Sequence, residues 1–233
     1  MPRLLRISPA GIAIHIIQRG NNRQACFVSD EDHWAYTGWL KEYSSRYRVA
    51  IHAWVMMTNH VHLLCTPHVE AGISKMMQAV GRRYVQYFNR EYRRSGTLWE
   101  GRFKSCLVEN ESYLLGLYKY IEMNPVRAKM VNDPGKYRWS SYQVNGLGKV
   151  SDLCIPHQEY LSLGRDPLER QNNYRELFAH EVEGELLKEI RDNTQRGMAI
   201  GSEQFKKEIE ALTGRRLQSK KRGRPTGWRK VKI

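Results

Sequence analysis

The chain has 233 residues, 41% of them hydrophobic, enough for one large domain or a core domain with an appendage. Its formal net charge of +14 argues against an acidic mimic and favours a polyanionic partner, most simply nucleic acid. The four cysteines are widely spaced without a CxxC, which argues against a cysteine zinc site or a disulfide framework and fits a reducing, cytoplasmic setting. The first residues lack the apolar stretch and cleavage site of a signal peptide, and no apolar run is long enough to span a bilayer, so no membrane association is expected.

Taken in order, residues 11–18 (GIAIHIIQ) form a β-branched run that predicts a first strand. Arg19-Gly20-Asn21-Asn22-Arg23 follows as a turn-rich loop. Its Arg19, Asn21 and Arg23 suit a phosphate backbone, and equally suit an ordinary polar loop. Residues 30–48 carry Trp34, Trp39, Leu40 and Tyr43 at helical spacing, with Asp30 as the expected N-cap.

Residues 49–66 (VAIHAWVMMTNHVHLLCT) predict two strands joined by a turn near Met57-Thr58-Asn59. Strand side chains alternate faces, so His60 and His62 share one face while Val61 points to the other. Two neutral imidazoles on one face suit a divalent metal; the same pattern also serves as a hydrogen-bonded structural pair.

A helix is predicted over 72–93, with Ile73, Met76, Met77, Val80, Tyr84 and Phe88 on one face and several arginines elsewhere. A fourth strand follows at 103–108. Trp99, Arg102 and Lys104 combine aromatic area with charge, a pairing that stacks on unpaired bases and holds phosphates. Residues 111–123 are helical and close at Asn124-Pro125, since proline disfavours helix in the residue before it. The order strand, helix, strand, strand, helix, strand, helix predicts an α+β fold: a ferredoxin-like antiparallel sheet with helices on one face.

On the last helix two i, i+4 pairs are chemically sensible, Tyr120 with Asn124 and Tyr118 with Glu122, and spacing does not decide between them. A tyrosine hydroxyl serves as a covalent nucleophile when activated, and an Asn amide oxygen is a hard ligand suited to Mg²⁺ or Mn²⁺.

His60-Val61-His62 followed by Tyr120-Ile121-Glu122-Met123-Asn124-Pro125-Val126-Arg127-Ala128 resembles the IS200-like single-tyrosine transposases, in particular their REP-associated branch. Arg19-Gly20-Asn21, Trp54-Val55-Met56 and Trp99-Glu100-Gly101-Arg102-Phe103 look like the same family, over about residues 8–145. The resemblance implies a HUH endonuclease fold and strand transfer on single-stranded or hairpin DNA through a 5′-phosphotyrosine. It implies Tyr120 as nucleophile, with His60, His62 and Asn124 holding Mg²⁺ or Mn²⁺; the glutamine of many IS200-type enzymes is replaced here by Asn124. It leaves open a monomer or a homodimer. A regulator without chemistry, and a zinc hydrolase drawing on His52 or His68, are the alternatives.

Domain boundaries are expected at 1–145 for the catalytic domain and 146–214 for a small helical module that binds DNA or packs. Residues 215–233 form a basic tail without an acidic residue, expected to be disordered when free. Within it Arg222-Gly223-Arg224-Pro225 resembles an AT-hook core, which implies that Arg222 and Arg224 reach into a minor groove.

Overall fold

The structure is a computed structural model that describes residues 6–179 and 184–216. Its framework is a sheet in the order β2-β3-β1-β4-β5, formed by β1 (Ala13–Arg19), β2 (Val49–Met57), β3 (His60–Pro67), β4 (Lys104–Val108) and β5 (Ala199–Ile200). The first four strands are antiparallel to their neighbours, and β5 adds a short parallel rung to β4. The α+β class is the one expected from the sequence. Both sheet faces are covered, however, whereas the sequence reading set helices on one.

On the first face lie α1 (Asp30–Arg46) and α2 (Gly72–Glu91), packed on Ile14, Ile16, Val61, Leu63 and Leu107. Asp32 ties the two helices together. Its carboxylate accepts the Val28 and Ser29 backbone N–H groups at the start of α1, and the Tyr87 and Tyr92 hydroxyls from in and just beyond α2. The α1 N-cap is thus Ser29, one residue before the Asp30 expected, because Asp32 closes a capping box with it.

On the second face lie α3 (Asn110–Glu122), the short α4 (Asn124–Arg127), α5 (Tyr142–Asn145), α6 (Gln158–Leu161), α7 (Pro167–Glu176) and α8 (Gly184–Arg196). Leu114, Leu117, Tyr118 and Ile121 of α3 meet Ala53, Val55 and Leu64 of the sheet, with Tyr160, Tyr174 and Ile190 beside them. Helix α3 covers β2 and β3 while α8 covers β4 and β1. Helix α9 (Glu203–Thr213) runs from its Ser202 cap to Gly214, whose φ of 66° makes the left-handed stop. Of the C-terminal helices α8 packs directly on the sheet, while α6 packs on α3 and α7. The segment after α5 runs along the outer edge of β2, where Ile155 donates its N–H to the Ile51 carbonyl. Arg222 and Arg224 lie outside the described residues, as does the tail from residue 217 onward.

Candidate active site

The cavity of interest, about 300 Å³, opens on the second face between the C-terminal end of α3 and α8. Strand alternation builds its floor. His60 and His62 of β3 face the same side as Ile17 and Arg19 of β1, with Ile17 opposite His62 and Arg19 opposite His60 in the ladder. Tyr120 and Asn124 come from the end of α3 and the start of α4, and Arg191 and Gln195 from α8. Arg102, Lys104 and Glu100 complete the wall. The structure thus gathers His60, His62, Tyr120 and Asn124 into one cavity of one chain.

The rim is held by backbone contacts. Gly20 donates its N–H to the Asn59 carbonyl, Asn21 to Leu98, and Glu100 to Arg19, which pins the 19–23 loop to the β2–β3 turn and to residues 98–100. Gly20 has no alternative: a Cβ there would meet the Gln24 carbonyl oxygen at 2.3 Å. Asn22 and Arg23 sit at φ 49° and 58°, turning the loop tightly.

Both cavity histidines are oriented by bonds to Nδ1. The Asn59 amide nitrogen donates to the Arg23 carbonyl, so its oxygen faces His60 Nδ1 at 2.6 Å and accepts that proton. His62 Nδ1 lies 3.0 Å from His15 Nε2, and the two rings stack at 5.2 Å. The His60 and His62 ring centroids are 5.0 Å apart. Burial, with the Arg19 cation adding to it, lowers the His60 pKa to about 4. His62 is likewise pushed well down, by burial first and then by His60, His15, Arg127 and Arg19. Both rings are therefore neutral at physiological pH, the form that ligates a metal.

Asn124 is oriented as well. Its Nδ2 donates to the carbonyls of Tyr120 and Ile121, each at 3.0 Å, which leaves Oδ1 as the free acceptor. Two imidazole Nε2 atoms and one amide oxygen form a donor set that suits a divalent cation with open positions. Among the described residues no cluster of three or more His, Cys, Asp or Glu could hold a metal, so the three strong ligands of a zinc hydrolase are not found there. His52, the zinc candidate, has Nδ1 on the Ile155 carbonyl and Nε2 on the Thr66 hydroxyl, and His68 is exposed.

The two tyrosines part company. Tyr120 meets the His62 ring at 5.7 Å and the His15 ring at 5.8 Å, both edge-on. Tyr118 is fully buried in the core against Tyr160 and Tyr174. Its i+4 partner Glu122 is also buried and accepts from Ser141, Asn145 and Tyr174, a structural knot; burial raises its pKa to about 7.

Of the residues expected to touch DNA, Arg19, Arg102 and Lys104 line the cavity. Asn21 and Arg23 lie on the adjoining loop, with Arg23 exposed. Trp99 is a correction: it is 6% exposed and stacks on Tyr84 at 5.8 Å, so its ring is core packing and has no face free for a base. The sequence reading also missed His15, Glu100, Arg127, Arg191 and Gln195. Arg127 sits with its guanidinium 4.5 Å above the Tyr120 ring and donates to the Tyr120 carbonyl, and burial lowers its pKa to about 10. Its Nη1 is buried without a hydrogen-bond partner. The family-like blocks around Arg127 and Glu100 were the available signals; His15 depends on strand register, and Arg191 and Gln195 on α8.

Comparison with known proteins gives the family and the fold. Residues 9–124 match the family described as "Transposase IS200 like". A solved structure of a REP-associated tyrosine transposase bound to a REP hairpin aligns with a TM-score of 0.52 at 17% identity, covering 67% of this chain and 93% of that one, a likeness of fold. A chain named as a transposase from Deinococcus radiodurans R1 aligns with a TM-score of 0.36 at 20% identity, covering 52% of this chain and 96% of that one. No curated protein matches. The matched span holds the His-x-His strand and the helix that brings Tyr120 and Asn124 to it, and the chain belongs to the IS200-like transposases.

Proposed function

We propose that this transposase cuts and rejoins single-stranded DNA through a covalent bond to Tyr120, with Mg²⁺ or Mn²⁺ held by His60, His62 and Asn124. One observation carries the reading: these four side chains line a single cavity with a rim of Arg19, Arg102, Lys104 and Arg191. The cations attract and position the phosphate backbone. The Tyr120 oxygen attacks the scissile phosphorus in line, forming the P–O(Tyr) bond and breaking the bond to the 3′ oxygen. The phenolic proton ends on that 3′ oxygen through solvent, leaving a 5′-phosphotyrosine and a free 3′-OH. A bound divalent cation would supply Lewis-acid polarisation of the phosphate. The covalent bond conserves the energy of the phosphodiester, so a second 3′-OH can displace Tyr120 and join a new strand. Hairpin DNA of the REP kind is the proposed substrate, supported by the fold-level neighbour solved on such a hairpin.

The test is a 3′-labelled single-stranded hairpin incubated with the protein and Mn²⁺, with the protein–DNA adduct resolved on a denaturing gel. The expected result is a Mn²⁺-dependent adduct that Tyr120→Phe abolishes. DNA binding without any adduct, unaffected by Mn²⁺, would favour the regulator without chemistry.

A further inference from the structure

The bond between His62 and His15 joins two ring nitrogens, each of which can donate or accept, so the pair by itself does not fix which ring carries the shared proton. The next contacts do. His15 is fully buried with one partner at each ring nitrogen, and a neutral ring has a single N–H to place between them. Its Nδ1 lies 2.9 Å from the Thr194 hydroxyl on α8. That hydroxyl lies 2.7 Å from the Ile190 carbonyl, which can only accept. Thr194 is 1% exposed, so no water competes for these bonds.

We infer that Thr194 and His15 are positioning residues that set the tautomer of His62. Thr194 gives its proton to the Ile190 carbonyl and accepts Nδ1–H of His15. His15 Nε2 is then an acceptor and takes Nδ1–H of His62, which leaves the His62 Nε2 lone pair facing the cavity. His60 reaches the same state through its neighbour Asn59, whereas His62 is served by a residue far away in sequence. Cys106 Sγ lies 3.0 Å from the Thr194 oxygen and 3.9 Å from His15 Nδ1, and either the thiol or the hydroxyl can donate in the first contact; in the relay inferred here the thiol donates to Thr194. Helix α8 therefore acts on the chemistry of the strand histidines as well as covering them. Outer partners of metal-binding histidines typically change metal affinity by about 10–100-fold.

With the acceptor gone in Thr194→Val, the relay reverses: His15 Nε2–H donates to His62 Nδ1, and His62 presents Nε2–H to the cavity. The proposal rests on the reading that His62 binds the cation, and the arms separate the two. Full-length protein is titrated with Mn²⁺ alone by calorimetry, and the His62 tautomer is read by ¹⁵N NMR without metal. The expected results are Nδ1–H on His62 in the wild type, Mn²⁺ affinity weakened by about tenfold or more in Thr194→Val, and near-wild-type affinity in Thr194→Ser. Nε2–H on His62 in the wild type overturns the relay. So does unchanged Mn²⁺ affinity in Thr194→Val where His62→Ala abolishes binding. Unchanged affinity in His62→Ala instead overturns the ligand reading beneath it. The NMR arm needs no variant, so a misfolded Thr194→Val does not shield the inference.

Discussion

Tyr120 stands edge-on to His62, with ring centroids 5.7 Å apart. Tyr118, two residues earlier on the same helix, points into a closed core. Tyr120→Phe is expected to abolish the DNA adduct while leaving the thermal midpoint within a few degrees of wild type. Tyr118→Phe removes a hydroxyl from a buried ring, and is expected to keep adduct formation while shifting stability by about 1 kcal/mol. Adduct yield and thermal melts on both variants check the pair.

Asn124 holds its amide nitrogen on two backbone carbonyls at the junction of α3 and α4. Aspartate has only acceptors when ionised, so in Asn124→Asp a carboxylate oxygen would face both carbonyl oxygens. The expected cost is about 1–3 kcal/mol of stability, read as a lower urea midpoint at neutral pH. Protonating the new carboxyl below its pKa should recover part of that loss.

Arg127 places a cation against the face of the Tyr120 ring, with Nη1 buried and unpartnered. Such a group stabilises negative charge developing on a phosphoryl group beside the tyrosine. Arg127→Met should slow adduct formation by about 10²-fold, with Arg127→Lys in between, while DNA affinity changes much less. Single-turnover rates at saturating DNA separate the two effects.

His52 is neutral and buried, with its pKa lowered to about 4 chiefly by desolvation. An unfolded chain takes up that proton near the ordinary value of 6.5, so the folded state binds fewer protons between these limits. The stabilising contribution is full above pH 6.5 and is lost as pH falls towards 4. Glu122, raised to about 7 by burial, acts oppositely and destabilises as pH rises from 4.5 through 7. Replacing His52 by Gln should reduce the acid-side slope of stability against pH by about 1.4 kcal/mol per pH unit, measured by urea unfolding across that window.

Trp99 and Trp34 make a contrast between core and surface. Trp99 is buried on Tyr84, and its change to Ala should cost about 3–5 kcal/mol. Trp34 is 60% exposed, so Trp34→Ala should change stability by about 0.5 kcal/mol or less. Denaturant midpoints of the two variants decide this.

The strands were legible as apolar, β-branched runs, in which alternation puts His60 and His62 together, and α2 because its 3–4 spacing matches its buried face; α1 was less clean, since Trp34 of its expected apolar set is exposed. Resemblance to a family, rather than spacing, separated Tyr120 from Tyr118; in the structure the difference is a rotation of about 200° around the helix, two residues at roughly 100° each. His15 was hidden because a lone histidine in a β-branched strand carries no local sign, and its link to His62 exists only through strand register and a contact with α8. Trp99 was misplaced because a tryptophan beside Arg102 and Lys104 has the composition of a DNA surface, while Gly81 on α2 leaves room for its ring in the core. The cover on the second sheet face was likewise invisible to patterns taken one segment at a time.

The strip of chain that lies along β2, bridged at Val55–Ser140 and Ile51–Cys154, occupies the border where another molecule's strand would otherwise join. Two copies of this protein cannot merge their sheets across that border without first peeling the strip away. Each copy already supplies its own tyrosine to its own histidine pair. At that border a partner molecule would therefore meet side-chain surfaces, and one copy brings together the four side chains on which the proposed cleavage draws.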